Sequence, residues 1–195
     1  MKMRVGIYGG TFNPIHNGHL IVATKMIEIL KLDKLVIMPA YIPPHKVKER
    51  RVDFFKRYEW TKTAFEGVEK IEVSDFEGKK GNISYTFDTV SRFEEDYEKL
   101  VYIVGEDNFL TFDKWYRYEE LLKKIELWVY PRTHKSNLLS MKKKLEKISK
   151  DIHIADEVPI IQISSTLIRE RIKEGLPIRG YVPFQIEEEV KNFYR

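Results

Sequence analysis

Short apolar, largely β-branched runs recur along the chain at Val5–Tyr8, Leu35–Met38, Ile71–Val73, Val101–Val104, Leu127–Tyr130 and Ile152–Ile154. Continuous apolar runs of this length predict strands buried on both faces of a sheet. Segments of helical period separate them. Leu20–Leu30 carries Leu20, Ala23, Ile27 and Leu30 on one predicted helix face. Further helices are predicted over Phe54–Phe65, Phe87–Tyr97, Tyr118–Lys124, Leu138–Ile148, Thr166–Glu174 and, after Pro183, Gln185–Phe193. Alternating strands and helices predict an α/β fold, a doubly wound parallel sheet with helices on both faces. Right-handed crossovers then gather the loops after the strand C-termini on one rim. With no repeat or linker, residues 1–195 are expected to form one domain with a small helical C-terminal portion from about residue 164.

Composition narrows the function classes. Hydrophobic residues are 43% and charged residues 33% of the 195, the balance of an ordinary soluble protein. The net charge of +4 leaves only a small basic excess, without interleaved aromatics, so a nucleic-acid partner is not expected. There is no cysteine, which excludes disulfides and thiolate zinc sites and fits a reducing, cytoplasmic setting. Met1–Arg4 runs into the first strand without a signal-peptide core, and no apolar run approaches the ~20 residues of a membrane helix. The run Lys142–Lys144 reads as a solvated helix face.

Two segments carry candidate chemistry. The first, from Gly9-Gly10-Thr11-Phe12-Asn13-Pro14 to His16-Asn17-Gly18-His19, joins the first strand to the first helix. A glycine turn there exposes backbone N–H groups at a helix N-terminus, with Asn17 as the expected N-cap. His16 and His19, three residues apart, share a helix face and add two donors. That pattern suits a triphosphate, although neither a Walker A sequence nor a Gly-x-Gly-x-x-Gly loop is present; Gly78-Lys79-Lys80-Gly81 reads as a surface turn. The other histidines, His45, His134 and His153, complete no zinc set, so no protein-held metal is expected. The second segment, Ile163-Ser164-Ser165-Thr166-Leu167-Ile168-Arg169, supplies an N-cap, hydroxyls and an arginine one turn on. It reads as a second anion site.

Together these two motifs resemble the nucleotidyltransferase superfamily, with its Rossmann-like sheet. Pro43-Pro44-His45-Lys46, Ser84-Tyr85-Thr86-Phe87-Asp88-Thr89, Gly105-Glu106-Asp107-Asn108, Phe112, Trp115 and Pro131-Arg132 narrow the resemblance to bacterial nicotinate-nucleotide adenylyltransferases over essentially the whole chain. The resemblance implies transfer of the adenylyl group of ATP to nicotinate mononucleotide, with no covalent enzyme intermediate. By matching position, His16, His19 and Arg169 are the implied catalytic residues. Gly9, Gly10, Thr11, Phe12, Gly105, Asp107, Ser164, Ser165 and Thr166 complete the implied ATP site. Lys46, Tyr85, Thr86, Trp115 and Arg132 are the implied acceptor site. Thr86, Tyr85 and a helix N-terminus there would receive the nicotinate carboxylate.

The bland alternatives stay open: a core reading for Trp115 and Phe112, and a packing reading for Tyr85. His134 and His153 read as surface residues, and His45 as shaping its turn. Two departures from the family pattern stand out. Asn13 replaces the commoner aspartate, which leaves it a loop-shaping role, and Thr133 follows Arg132 where glycine is usual. Mg²⁺ is expected mainly on the ATP phosphates. An acceptor preference for nicotinamide mononucleotide, or for both forms, is the alternative reading. Pro43–Arg51 is a candidate lid, and a homo-oligomer stays open.

Overall fold

A computed structural model describes residues 3–44, 52–97, 99–133 and 137–195. The expectations for His45, Lys46, His134 and most of the Pro43–Arg51 lid lie outside the described residues.

Every predicted strand is present, several extended by one or two residues: β1 Val5–Gly10, β2 Lys34–Pro39, β3 Ile71–Val73, β4 Leu100–Gly105, β5 Ile125–Tyr130 and β6 Ile152–Ile154. They form one sheet in the order β3-β2-β1-β4-β5-β6, and every pairing is parallel. Chain order therefore reverses between β1 and β4. In such sheets the carboxyl ends of the two strands beside the reversal splay apart and leave a crevice for ligand. Gly10 ends β1 and Gly105 ends β4, which places both sequence segments on that crevice.

The helices are α1 Asn17–Leu30, α2 Phe54–Ala64, α3 Phe76–Lys80, α4 Thr86–Phe93, α5 Glu106–Phe109, α6 Tyr118–Lys124, α7 Leu138–Leu145, α8 Ser165–Lys173 and α9 Glu187–Tyr194. On one sheet face Met26, Trp60, Ile168 and Val190 pack with Leu35, Ile37, Val101 and Ile103. On the other, Val90, Leu121 and Leu145 pack with Val36, Tyr102, Val104 and Leu127. This two-sided cover is why β1, β2 and β4 read as continuous apolar runs. The outer strands differ: β3 is only partly covered, and β5 alternates buried with half-buried positions.

Local chemistry sets the helix starts. The Asp53 carboxylate accepts from Phe55 N (2.8 Å), and Ser164 Oγ accepts from Leu167 N (3.1 Å), each satisfying an orphan first-turn N–H. Three expectations are corrected. The buried stripe of α1 is Gly18, Val22, Met26 and Leu30, with Ala23 beside it. Leu20 and Ile27 flank it, because the helix is rotated to bury its i, i+4 row. Gly78 lies inside α3, not in a surface turn. A Cβ there would stand 1.9 Å from Cε1 of Phe54, so only glycine lets that ring lie on the helix. His153 is not a free surface residue; its ring stacks on Trp128 at 4.7 Å. Lys142 and Lys144 are on a solvated face, ion-paired to Glu146 and Asp113. Among the described residues no helix is long and apolar enough to cross a membrane.

Candidate active site

The crevice holds two cavities that meet at Thr11, the residue after β1. One, of about 510 Å³, is lined by His16, His19, Asp107, Arg132, Ser164–Thr166 and Arg169. The other, of about 340 Å³, is lined by Gly9, Gly10, Tyr85, Thr86, Tyr102, Trp115 and Tyr116.

The first loop differs from the expected glycine turn. Gly9 and Gly10 are still strand, and the turn runs from Thr11 to His16 through a cis Asn13–Pro14 bond. The glycines serve close packing: a Cβ on Gly9 would lie 2.5 Å from the Tyr102 hydroxyl, and one on Gly10 2.7 Å from the Phe12 ring. Phe12 holds a left-handed φ of 46° with its ring buried, and it lines neither cavity. The N-cap of α1 is His16, not Asn17. Asn17 is already helical, and its side-chain Nδ2 donates to Gly180 O (2.9 Å) and Val182 O (3.3 Å), tying the helix start to the C-terminal segment.

The two histidine rings stack at 3.6 Å. The His16 backbone N–H donates to His19 Nδ1 (3.2 Å), which leaves the His19 proton on Nε2. His16 Nδ1 is buried without a partner. Burial, reinforced by Arg132, lowers the His16 pKa to about 3. Burial, then His16 and Arg132, holds His19 well below the usual imidazole value. Both rings are therefore neutral donors at neutral pH.

Arg132 is positioned by a buried carboxylate that sequence reasoning missed. Glu106, 3% exposed, accepts from Arg132 N (2.7 Å), Thr133 N (2.9 Å) and Thr133 Oγ1 (2.9 Å). Thr133 at the usual glycine position thus adds an anchor for this loop. The Arg132 guanidinium pairs with Asp107 (2.8 Å) and donates to Ile163 O (3.1 Å). It stands on the histidine side, away from Tyr85, Thr86 and Trp115, with which it was grouped.

Arg169 reaches back as expected, donating to Asn13 O (2.8 Å) and Thr166 Oγ1 (3.2 Å). Ser165 Oγ donates to Pro14 O (2.8 Å), so the second segment buttresses the first. Asn13 Oδ1 accepts from Tyr194 Oη (2.7 Å) and Val52 N (3.2 Å), a shaping role that needs no carboxylate. The buried Arg57 guanidinium donates to Thr11 O (2.6 Å) and Tyr41 O (3.1 Å), tying the loop after β1 to the segment after β2.

The aromatic cavity has a stacking wall. Phe112 is fully buried and Trp115 lies on it at 4.7 Å, half-buried and facing the cavity. Tyr85 packs on Tyr116 (4.7 Å) and lines the cavity as well. Thr86 opens α4, and its hydroxyl bonds Tyr102 Oη at 3.3 Å. Asn108, the last residue of the Gly105–Asn108 segment, also lines this cavity, as do Glu77 and Lys114, which no motif announced, though Lys114 adjoins Trp115 in sequence. Among the described residues no cluster of three or more His, Asp or Glu is arranged to hold a metal, and Asp107, on the phosphate-side wall, is engaged by Arg132.

Known proteins match this arrangement. The cytidylyltransferase-like family model covers residues 7–171. A "Probable nicotinate-nucleotide adenylyltransferase" of Thermotoga maritima is 46% identical over 193 residues, covering 98% of this chain and 92% of that protein. One of the same name from Thermosipho melanesiensis is 42% identical over 196 residues, with 100% and 98% covered. Nicotinic acid mononucleotide adenylyltransferase of Plasmodium falciparum, solved complexed with NaAD, shares the fold at TM-score 0.81 and 18% identity, covering 98% of this chain and 96% of that one.

Proposed function

We infer that this chain, which belongs to the cytidylyltransferase-like family and within it to the nicotinate-nucleotide adenylyltransferases, works by direct attack of its acceptor on ATP. It transfers the adenylyl group of ATP to nicotinate mononucleotide, giving nicotinic acid adenine dinucleotide and pyrophosphate, a step of NAD biosynthesis. The observation that carries the mechanism is the meeting of a cationic, donor-rich cavity and an aromatic cavity at Thr11. An acceptor ring held in the second would present its phosphate to a triphosphate held in the first.

The acceptor 5′-phosphate oxygen attacks the α-phosphorus of ATP. The bond to the bridging oxygen breaks, and pyrophosphate leaves. A phosphate monoester is already a nucleophile, so positioning and charge stabilisation suffice. The His19 Nε2–H and His16 donate to the phosphates, with backbone support from Thr11, which both cavities share; Gly9 and Gly10, on the aromatic side of that junction, and Phe12 are read as backbone neighbours of the transferred phosphate. A neutral donor held rigidly in a dry site stabilises developing charge without reorganising. Ser164, Ser165, Thr166 and Arg169 receive the pyrophosphate. Gly105 and Asp107 border the adenosine, and Asp107 exchanges its Arg132 contact for a ribose hydroxyl. Arg132 neutralises phosphate at the junction, and Lys46, outside the described residues, keeps the acceptor-phosphate role that the family resemblance implies. Trp115 stacks on the pyridine, while Thr86, Tyr85 and the α4 N-terminus take its carboxylate.

Mg²⁺ carried on the ATP phosphates would neutralise charge there; the described residues offer it no cage of their own. The reaction is read as cytoplasmic, in keeping with a chain that has no cysteine. The deciding experiment is pyrophosphate release from ATP and Mg²⁺ with nicotinate and nicotinamide mononucleotides in parallel. A much higher kcat/KM with the acid is expected. Equal rates would overturn the account of the Thr86 pocket, and release with neither would overturn the acceptor assignment.

A further inference from the structure

The transfer brings together two phosphates from different cavities, and the residue both cavities share is Thr11. Among the described residues the Thr11 N–H and hydroxyl engage no partner, while its carbonyl is held. The holder is Arg57 of α2, which is 1% exposed and lines neither cavity. Its Nη1 donates to Thr11 O (2.6 Å), its Nη2 to Tyr41 O (3.1 Å) and its Nε to Val52 O (3.0 Å). These carbonyls belong to irregular backbone after β1, after β2 and before α2. The Tyr41 segment borders the acceptor side: Ala40 and Pro43 line the aromatic cavity, and Tyr41 N donates to Ser84 Oγ (2.8 Å) ahead of α4. The Val52 segment borders the phosphate side: Val52 N donates to Asn13 Oδ1 (3.2 Å), and Asn13 O accepts from Arg169 (2.8 Å). Arg57 is itself fixed on its helix, its N–H donating to Asp53 O (3.1 Å) and its carbonyl accepting from Thr61 Oγ1 (2.7 Å). Burying a guanidinium is costly unless its donors are bonded. What it offers in return is a rigid planar fork that can hold several carbonyls at once.

We propose that Arg57 is a positioning residue for the transfer: by clamping Thr11 to the Tyr41 and Val52 segments, it fixes the acceptor phosphate in line with the α-phosphorus of ATP. The inference rests on the adenylyltransferase reading. Arg57 touches neither substrate; it acts through the Thr11 backbone. Each substrate is held mainly by its own cavity, ATP by the histidines, Ser164–Thr166 and Arg169, the acceptor by Trp115 and Thr86. Binding of either substrate alone therefore survives loss of the fork. The approach of one phosphate to the other does not, because it is set at the residue the cavities share. A misplacement of about 1 Å at such a point costs on the order of 100-fold in rate. Lysine does not replace the fork, since its ammonium is a compact point charge.

The test compares the unmodified protein with Arg57→Lys and Arg57→Met. Two quantities are read: kcat at saturating ATP and nicotinate mononucleotide, and the calorimetric Kd of each substrate measured alone. The temperature is one at which circular dichroism shows every protein folded. Both variants should lose roughly 30- to 100-fold in kcat while each Kd stays within about threefold, as for an interaction realised only in the transition state. A lower melting temperature with kcat retained would make Arg57 a purely structural residue and overturn the proposal. So would a loss carried by either Kd, and so would full activity in Arg57→Lys. Absence of turnover in the unmodified protein would instead bring down the adenylyltransferase reading, and the proposal with it. If neither variant folds, amide hydrogen exchange on the unmodified protein decides. A non-hydrolysable ATP analogue alone should slow exchange at the Tyr41 N–H, although Tyr41 lines neither cavity, because the Thr11–Arg57–Tyr41 link carries the ordering across. Unchanged exchange at Tyr41 overturns the proposal.

Discussion

The two cavities share a wall at Thr11 and bury opposite chemistry. On the phosphate side two buried bases, His16 and His19, are held neutral. On the aromatic side the buried group is an acid, Glu77, whose carboxyl is pushed up. Neutral bases can donate to an incoming polyanion without carrying charge in the empty site. The same cause, burial, thus sets up both halves, and it gives them opposite responses to pH. His16 moves from 6.5 to about 3, so its contribution to stability is present above about 6.5 and is lost as pH falls toward 3. Glu77 is raised from 4.5, so its contribution is present below 4.5 and is lost as pH rises through the higher folded value.

Acid should expose the largest difference between the halves. Between pH 6.5 and about 3 the buried His16 should cost up to ~1.4 kcal/mol of stability per pH unit. Urea unfolding of the unmodified protein and His16→Asn at several pH values would measure it. Equal slopes would break the contrast, by showing that His16 is not held neutral by the fold.

Activity comes next. His19→Ala should lower kcat by ~100-fold or more with the fold retained, as for loss of an oriented donor at a transition state. Near-normal turnover with an unchanged circular dichroism spectrum would remove His19 from the machinery. Arg169→Ala should weaken ATP handling by roughly 10- to 50-fold, since one charge-assisted partner of the leaving group is lost. An effect confined to acceptor KM would merge the two cavities into one site.

On the aromatic side, Trp115→Ala should raise acceptor KM by about tenfold and leave ATP KM close to unchanged, the value of one ring stacked against another. A rise in ATP KM instead would assign Trp115 to the other cavity. The smallest effect is expected for Asn13→Asp. Tyr194 Oη and Val52 N both donate to Asn13 Oδ1, and a carboxylate accepts them equally well. Turnover should stay within about threefold. A loss of tenfold or more would give the amide a role beyond shaping the loop.

The phosphate side was legible in the chain because its donors lie in two short contiguous runs, Gly9–His19 and Ser164–Arg169. Spacing within a strand–turn–helix unit determines which backbone N–H groups and side chains share a terminus. The aromatic side was legible only where a motif ran through it, at Tyr85, Thr86 and Trp115. Glu77 gave no signal, because a lone glutamate in a short charged helix normally faces water. Its burial follows from the Phe54 ring lying on Gly78 and from Thr89 closing over Oε1, contacts among three separate elements.

The amino-acid pattern by itself determined the six strands, the parallel α/β class and the residues that handle phosphate. Those depend on periods of two and 3.6 residues and on local turn chemistry, which act within about a dozen positions. The tertiary structure alone decided which groups lost their water. It turned α1 onto its i, i+4 row, made His16 rather than Asn17 the N-cap, and carried Arg132 to the histidine side through Glu106. It also joined Arg169 to Asn13 across 156 positions. Desolvation is a property of everything packed around an atom, and in this chain the packing comes from elements far apart in sequence.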